Sequence, residues 1–414
     1  MNHGARFVRR RRVVGGLAIA FFTTASLVAW SVRTGDTTEP PDPGTAAKAV
    51  VPPNSRAQSV ARLSADQTAF VRRQRITGNL SPKSVAASST GLVTAQNMMY
   101  THTVSVFTSD GLLKGTVDDS VDLSSFGIGG HPGTSKGAPV EAAFTNDGKH
   151  VYVSNYAMYG KGFGPEGLDS CSPASAPDKS FLYRIDTRTL KIDQVIPVGA
   201  VPKYVAVTPD DSTVLVTNWC SWTMSVVDVK TAKLVDTIPI PGSYPRGIAV
   251  SPDSRTAFVA VMGSGRIAKV DIASKKVSTL AETGNGPRHI VISPDGKYLY
   301  VTNNGSGTVS KVEAANGKVL KTVSTGQQPR SMAISSDGLA VYVVNYESST
   351  VSKLRTSDLK QIAKRATDYH PIGIAYEPIT GSVWVACYGG SVVVYDDSKL
   401  ETSGPEATAA QGVK

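Results

Sequence analysis

Cysteine, histidine and catalytic signature motifs are scarce in this chain of 414 residues, which contains 3 cysteines and 6 histidines. The histidines have no spacing typical of a metal site, and the sequence contains no HExxH or CxxC motif. No long amphipathic helical pattern is present, whereas 38 glycines and 24 prolines indicate many turns. We therefore expect no cofactor, no metal and no catalytic residue, and a binding protein rather than an enzyme.

Positive charge is concentrated at one end of the chain. The formal net charge is +10, and half of it comes from five arginines near the N-terminus: Arg6, Arg9, Arg10, Arg11 and Arg12. The remaining chain is only mildly basic, so its charge is weak support for a nucleic-acid partner.

An uncharged run of 20 residues, 13–32, follows these arginines. It is long enough to span a bilayer as a helix, and the arginines are expected to stay in the cytoplasm, so the C-terminal part lies outside. A cleaved signal peptide is the alternative, with a cleavage site near Thr23, Thr24 and Ala25. No cysteine directly follows the run, so a lipoprotein anchor is not expected. Either interpretation exports the rest of the chain.

Most of the chain repeats one pattern: a proline, a basic or small residue, an apolar strand, a turn, and a second strand that ends near asparagine. The repeats begin at Pro82, Pro139, Pro202, Pro245, Pro287, Pro329 and Pro371. The last four intervals are 43, 42, 42 and 42 residues, and the first two, 57 and 63, carry insertions. The unit that starts at Pro287 has four alternating apolar runs between turns, which predicts four short antiparallel strands.

Seven such units predict an all-β, seven-bladed β-propeller of four-stranded antiparallel blades in residues 69–400. A solenoid is the structural alternative, but a closed ring hides the sheet edges better. The seventh unit ends after three strands, so we expect residues 71–79 to supply its fourth strand. Around the propeller, the sequence predicts a cytoplasmic segment 1–12, a transmembrane signal-anchor 13–32, a disordered linker 33–68 and a disordered tail 401–414.

The second-strand ends carry a family resemblance. The segments Tyr300–Asn303, Leu215–Asn218 and Tyr152–Asn155 read YVTN, LVTN and YVSN. They resemble the YVTN class of β-propellers, to which YncE-like bacterial proteins belong, and the resemblance covers residues 71–398. It implies the fold but little about function, because members include surface proteins, binding proteins and relatives of lactonases.

Strand direction places the repeat prolines and the second-strand ends on one face of the ring, here called the entry face. The residue after the repeat proline, which we expect beside the central channel, is basic in five blades: Lys83, Lys203, Arg246, Arg288 and Arg330. Val140 with Glu141, and Ile372, interrupt this series, while His370 and His131 are added to the predicted site. Converging cations favour an anionic ligand. The alternative is that these side chains bond blade carbonyls or reach out to water.

Polar and aromatic residues at the second-strand ends are predicted to form a rim around this site. They are Asn155, Tyr156, Asn218, Trp219, Asn303, Asn345, Tyr346 and Tyr388. Structural roles are the alternative, because asparagine caps turns and aromatic rings pack between blades. Aromatic rings beside cations also suit single-stranded nucleic acid, although the charge outside the N-terminal segment is modest.

The second unit carries an insertion, residues 157–180, on the entry face. It contains Cys171, and Cys220 lies in the equivalent loop of the next unit. Because the exterior is oxidising, we predict a Cys171–Cys220 disulfide, with two free thiols as the alternative. Cys387 is left as a buried small residue. The glycine-rich loop around His131 lacks the spacing of a phosphate-binding loop.

These features predict an exported, membrane-anchored, monomeric propeller that binds an anionic small molecule, a cell-envelope polymer or a protein on its entry face. A lactonase-like hydrolase is the first alternative, with His370 and Arg288 or Arg330 polarising a lactone carbonyl. A nucleic-acid-binding, YncE-like propeller is the second alternative.

Overall fold

Short apolar runs between tight turns form seven antiparallel sheets, which follow one another around a central channel. The structure, a computed structural model, describes residues 63–400. The predicted N-terminal helix 13–32, the tail 401–414 and most of the predicted linker lie outside these residues. Between residues 63 and 400, no helix has the length and apolar character needed to cross a membrane.

Strand β1 (Val71–Ile76) precedes the first complete blade. Blade 1 consists of β2 (Pro82–Ala87), β3 (Leu92–Asn97), β4 (Thr103–Thr108) and β5 (Leu113–Asp118). Blade 2 consists of β6 (Ser120–Asp122), β7 (Thr134–Phe144), β8 (His150–Tyr159), β9 (Lys179–Asp186) and β10 (Lys191–Ala200), with a short 3₁₀-helix, Leu123–Phe126, after β6.

The next three blades follow the template closely. Blade 3 consists of β11 (Pro202–Val207), β12 (Thr213–Asn218), β13 (Thr223–Asp228) and β14 (Lys233–Pro239). Blade 4 consists of β15 (Pro245–Val250), β16 (Thr256–Val261), a 3₁₀ turn Met262–Ser264, β17 (Arg266–Asp271) and β18 (Val277–Glu282). Blade 5 consists of β19 (Pro287–Ile292), β20 (Tyr298–Asn303), β21 (Thr308–Glu313) and β22 (Val319–Ser324).

The last two blades complete the ring. Blade 6 consists of β23 (Pro329–Ile334), β24 (Ala340–Asn345), β25 (Thr350–Arg355) and β26 (Gln361–Ala366). Blade 7 consists of β27 (Pro371–Glu377), β28 (Ser382–Cys387) and β29 (Ser391–Asp396), with β1 as its outermost strand.

The predicted seven-bladed all-β propeller is therefore confirmed, with one difference in blade 2. There β6 pairs with an extended β7 and adds a fifth strand to the sheet, whereas the sequence predicts four strands in every blade. The connection between blades 1 and 2 is long enough to contain the short strand β6. This strand pairs antiparallel with the N-terminal end of the extended β7 and becomes the fifth strand of the sheet.

The core lies between adjacent blades rather than within any one of them. In blade 5, β20 is buried over five of its six residues, whereas the outermost strand β22 is almost wholly exposed. One apolar cluster joins Phe258 and Ala260 of blade 4 to Leu299, Val301 and Val312 of blade 5. Each sheet thus buries its faces only because a neighbour covers them.

Glycine lets the first strands approach one another around the channel. A Cβ atom at Gly373 would lie 2.6 Å from the Cα atom of Ser84, and one at Gly247 would lie 2.9 Å from the Cα atom of His289. No side chain fits at these distances, so glycine is required for the close approach of the backbones.

Strand register confirms the predicted entry face. The repeat proline of each first strand pairs with the last residue of the second strand, as in Pro202 with Asn218 and Pro287 with Asn303. The turns between the first and second strands lie at the other end of each hairpin, as predicted, on what we call the turn face.

The N-terminal strand closes the ring, as predicted. Strand β1 runs antiparallel to β29, with Val71 opposite Asp396 and Ile76 opposite Val392. Immediately before it, the ring of Phe70 is fully buried and stacks on Tyr395 at a centroid distance of 4.5 Å.

The ordered closure extends further towards the N-terminus than predicted. Thr68 accepts a 2.8 Å hydrogen bond from the buried ammonium of Lys353 through its carbonyl oxygen, and Ala65 donates its backbone N–H to Asp337. Residues 63–68 therefore belong to the ring, although the sequence assigns them to the linker.

We expect Phe70→Ala in the full chain to lower the free energy of unfolding by about 3–5 kcal/mol, because it leaves a cavity beside Tyr395. Val71→Ala is the matched control, since Val71 is 54% exposed and should change stability little. Denaturant unfolding of both variants measures the difference. Equal stability of the two variants would contradict a closure that depends on the buried ring.

Candidate functional site

A repeated β-bulge aims the five predicted cations at the mouth of the channel. In blade 3, Pro202 pairs with Asn218 and Tyr204 with Thr217, so Lys203 is an extra residue on its strand. The same register shift occurs after the repeat proline in the other blades. A bulge redirects the side chain of the extra residue. The bulge thus explains why the side chain of the residue after the proline points away from the sheet and towards the mouth.

The five cations are brought together, and three of them are almost completely buried. Lys203, Arg246 and Arg288 are 5%, 5% and 6% exposed, while Lys83 and Arg330 are half-buried. Burial, and then the charges of the other four cations, lower the pKa of Lys83 well below its usual value. Burial, with Arg246 beside it, lowers the pKa of Lys203 to about 8. The mouth is therefore a site of concentrated positive charge.

Two carboxylates partly neutralise this charge. Asp169, from the blade 2 insertion, accepts a 2.9 Å hydrogen bond from the Nζ atom of Lys203. Glu141 lies 3.6 Å from the guanidinium of Arg246. Within residues 63–400, neither Lys83 nor Arg288 has a carboxylate at ion-pairing distance. Positive charge is thus left in excess at the mouth.

The aromatic side chains of the predicted rim lie close to the cations. Lys203 lies over the rings of Tyr156 and Trp219, at 4.4 and 5.1 Å from their centroids. The guanidinium of Arg330 lies 3.5 Å from the centroid of Tyr346. The Nζ atom of Lys83 is 5.5 Å from the centroid of the Tyr388 ring. These rings hold the cations in place by cation–π attraction.

The asparagines of the predicted rim are not part of its surface. They are fully buried within their blades: Asn155, Asn218, Asn303 and Asn345. The amide of Asn218 donates to the hydroxyl groups of Thr223 and Ser225 on the next strand, and its oxygen accepts from the backbone of Gly199. These amides join neighbouring strands below the mouth, so their role is structural.

The two predicted histidines lie apart from each other. The ring of His370 stacks between Tyr346 and Tyr369, and its Nε2 atom is 3.5 Å from Glu347. This places His370 at the edge of the mouth, next to the ring that contacts Arg330. The ring of His131 instead stacks on Phe163 at 3.9 Å. Phe163 packs against Phe181 of β9, so His131 covers the outer strands of blade 2.

The predicted disulfide fixes the insertion above the mouth. Cys171 and Cys220 are bonded, with their Cα atoms 5.3 Å apart, and Cys387 is free and buried. Two residues before Cys171, the carbonyl oxygen of Asp169 accepts a 2.8 Å hydrogen bond from the indole of Trp219. The phenol of Tyr156 donates to the Asp169 carboxylate. The covalent link and these bonds hold the carboxylate of Asp169 over Lys203.

A small cavity lies beneath the mouth and was not predicted. It has a volume of about 160 Å³ and is enclosed by the first strands of the blades. Its polar lining consists of Ser84, Glu141, Tyr204, His289 and Ser331. Of these, only Glu141 stands out in the sequence, as the acidic residue that interrupts the series of cations. His289 follows Arg288 directly, but no pattern in the sequence marks it.

Comparisons with known proteins agree with this fold. The family model of YncE-like β-propellers matches residues 173–296, which confirms the resemblance predicted from the repeats. Hydrazine synthase from Kuenenia stuttgartiensis is similar in structure, with a TM-score of 0.62 and 19% identity over 79% of this chain and 99% of that chain. At this identity the likeness shows the fold alone. The comparison with curated proteins found no significant match.

A second family model, that of the cytochrome D1 haem domain, matches residues 253–374. The central cavity does not fit a haem, because pockets for ligands of that size measure about 300–1,000 Å³. His289 is the one histidine among the residues that line it. Within residues 63–400, no group of three or more histidine, cysteine or carboxylate side chains is arranged to hold a metal.

We expect Asp169→Asn to strengthen binding of small anions at the mouth several-fold, because it removes a negative charge beside Lys203 but keeps a hydrogen-bond acceptor. Calorimetric titration of the full chain with citrate measures the change. Asp295→Asn, on the turn face, is the control and should leave citrate binding unchanged. Weaker binding by Asp169→Asn would show instead that this carboxylate organises the site.

We expect His289 to contribute to acid sensitivity. Burial, with Arg288 and Arg246 nearby, lowers its pKa to about 3, whereas the unfolded chain has a histidine pKa of about 6.5. The stability that depends on neutral His289 is present above pH 6.5 and is lost as the pH falls towards 3. At pH 4 the loss is up to about 3 kcal/mol.

Denaturant unfolding of wild type and His289→Phe between pH 7 and pH 4 tests this expectation. The variant should lose less stability than wild type over that range, because phenylalanine does not titrate. His150→Phe, at the turn face, serves as the control. If both variants lose stability in parallel with wild type, His289 does not carry this sensitivity.

Proposed function

We propose that the protein is an exported, membrane-anchored propeller that binds an anionic ligand at the mouth of its channel. The observation that carries this proposal is the convergence of five cations from five blades onto one opening. Three of them are nearly buried, and within residues 63–400 only two carboxylates pair with members of the group. The ligand chemistry is a carboxylate or a phosphate, on a small molecule, a cell-envelope polymer or a protein surface.

Electrostatics favours binding over a purely structural role. Burying like charges together costs free energy, because both desolvation and mutual repulsion oppose the charged forms. Burial and the neighbouring Arg246 and Arg330 lower the pKa of Arg288. A bound anion would relieve both effects, so the site is better completed by a ligand than by the chain alone.

One contact limits how far Arg288 moves. Its Nη1 atom donates a 2.7 Å hydrogen bond to the carbonyl oxygen of Arg330. A guanidinium has five N–H donors in a planar fork, so this bond orients the group and leaves other donors for a ligand. A preoriented guanidinium binds carboxylate or phosphate with little further loss of side-chain entropy.

Export is supported by two features. The apolar run 13–32 after the N-terminal arginines suits a signal-anchor. The Cys171–Cys220 disulfide requires oxidising conditions to persist. Membrane fractionation of cells that produce the full chain, combined with thiol labelling, tests both features. Recovery in the soluble cytoplasm with both thiols free would contradict the proposal.

Arg288→Gln in the full chain should weaken the binding of citrate and inorganic phosphate at least tenfold, because it removes a buried charge from the centre of the site. Arg255→Gln, an exposed arginine on the turn face, is the matched control. Isothermal titration at fixed ionic strength measures both variants. No binding to wild type, or equal binding to the two variants, would contradict an anion site at the mouth.

Single-stranded DNA is a useful competitor in the same titration. If it binds more tightly than either small anion, and with a steep dependence on salt concentration, the nucleic-acid alternative is favoured.

A further inference from the structure

The cavity beneath the mouth carries a polar atom without a partner. Within residues 63–400, the Nδ1 atom of His289 is buried without a hydrogen-bond partner, while the residue itself is 7% exposed and lines the cavity. A buried polar atom left unpaired costs free energy of the order of 1–3 kcal/mol. The cavity lining therefore includes an imidazole whose hydrogen-bonding capacity the protein leaves partly unused.

Glu141 connects this cavity to the mouth. Its carboxylate lies near the guanidinium of Arg246, and the same residue lines the cavity. His289 also follows Arg288 on β19, so successive residues of one strand reach the two regions. A ligand held by the cations can therefore extend a second group into the cavity.

The charges around the cavity determine what kind of group fits. A second anion would be repelled by Glu141, and a cation would be repelled by Arg246 and Arg288. The imidazole of His289 is neutral because its pKa is lowered to about 3, so it has one N–H donor and one acceptor nitrogen. An uncharged hydroxyl group matches it, because a hydroxyl both donates and accepts.

We propose that the ligand is a hydroxylated carboxylate of the sugar-acid class. Its carboxylate binds the cations of the mouth, and its hydroxylated arm enters the cavity and hydrogen-bonds His289. The polar side chains of Ser84, Ser331 and Glu141 line the cavity that this arm would enter. The volume of about 160 Å³ suits a short open arm rather than a further ring system.

The proposal rests on the anion site proposed above, and a matched pair of probes separates the two. Gluconate and hexanoate both have six carbons and one carboxylate, but only gluconate carries hydroxyl groups. In calorimetric titrations of the full chain, wild type should bind gluconate at least tenfold more tightly than hexanoate. Arg288→Gln should weaken both probes, because it acts on the shared carboxylate.

His289→Phe should remove most of the preference for gluconate and leave hexanoate binding nearly unchanged. His289→Gln retains hydrogen-bonding groups and should keep part of the preference, and Ser331→Ala is a milder second variant. Thermal unfolding of each variant confirms that the ring is intact.

Equal binding of the two probes by wild type would overturn the hydroxylated ligand while leaving the anion site in place. A preference for gluconate that is unchanged in folded His289→Phe and Ser331→Ala would overturn the role of the cavity. Failure of wild type to bind either probe would contradict the proposed site at the mouth, and the cavity proposal with it.

Discussion

Closure of the ring is the constraint on which the rest of the structure depends. The blades bury their faces only against one another, and the channel exists only because the first strands meet. Closure relies on β1 beside β29 and on a fully buried ion pair between Lys353 and Asp397. The phenol of Tyr342 also donates to Asp397. Removing one partner of such a pair leaves an uncompensated buried charge, at a cost of about 3–5 kcal/mol. The closure thus maintains the ring whose first strands surround the mouth.

Because the same bulge is repeated from blade to blade, positive charge is concentrated at the mouth. One bulge after each repeat proline sends a side chain into the mouth, and five blades supply a cation there. A single blade gains little from this arrangement, since its cation would remain solvated. Only the closed ring brings the cations near enough to lower the pKa of Lys83 through burial and mutual repulsion. The free-energy cost of burying these like charges together is the main support for the proposed anion site.

Blade 2 is where the repeat is modified, and it changes the site in two ways. It provides Val140 in place of a cation, followed by Glu141 beside Arg246, and its insertion brings Asp169 over Lys203. The disulfide to Cys220 anchors that insertion to the neighbouring blade. The two carboxylates reduce the positive charge of the mouth. The mouth remains cationic, whereas the cavity beneath it, which Glu141 also lines, is mixed and polar. In the proposed site, the template thus supplies the cations, and the departures of blade 2 from the template supply the carboxylates.

The sequence by itself determined the features that depend on local pattern and on period. The repeat prolines, the alternating strands and the missing fourth strand of blade 7 were enough to predict the ring, its closure and the entry face. The Cys171–Cys220 disulfide was also predicted, because the two cysteines lie in equivalent loops of adjacent blades. Only the tertiary structure decided where long insertions and individual side chains lie. It buried Asn218 within its blade, placed His131 on Phe163, and brought His289 to the cavity. These positions depend on contacts between residues far apart in the chain, and no local pattern encodes such contacts.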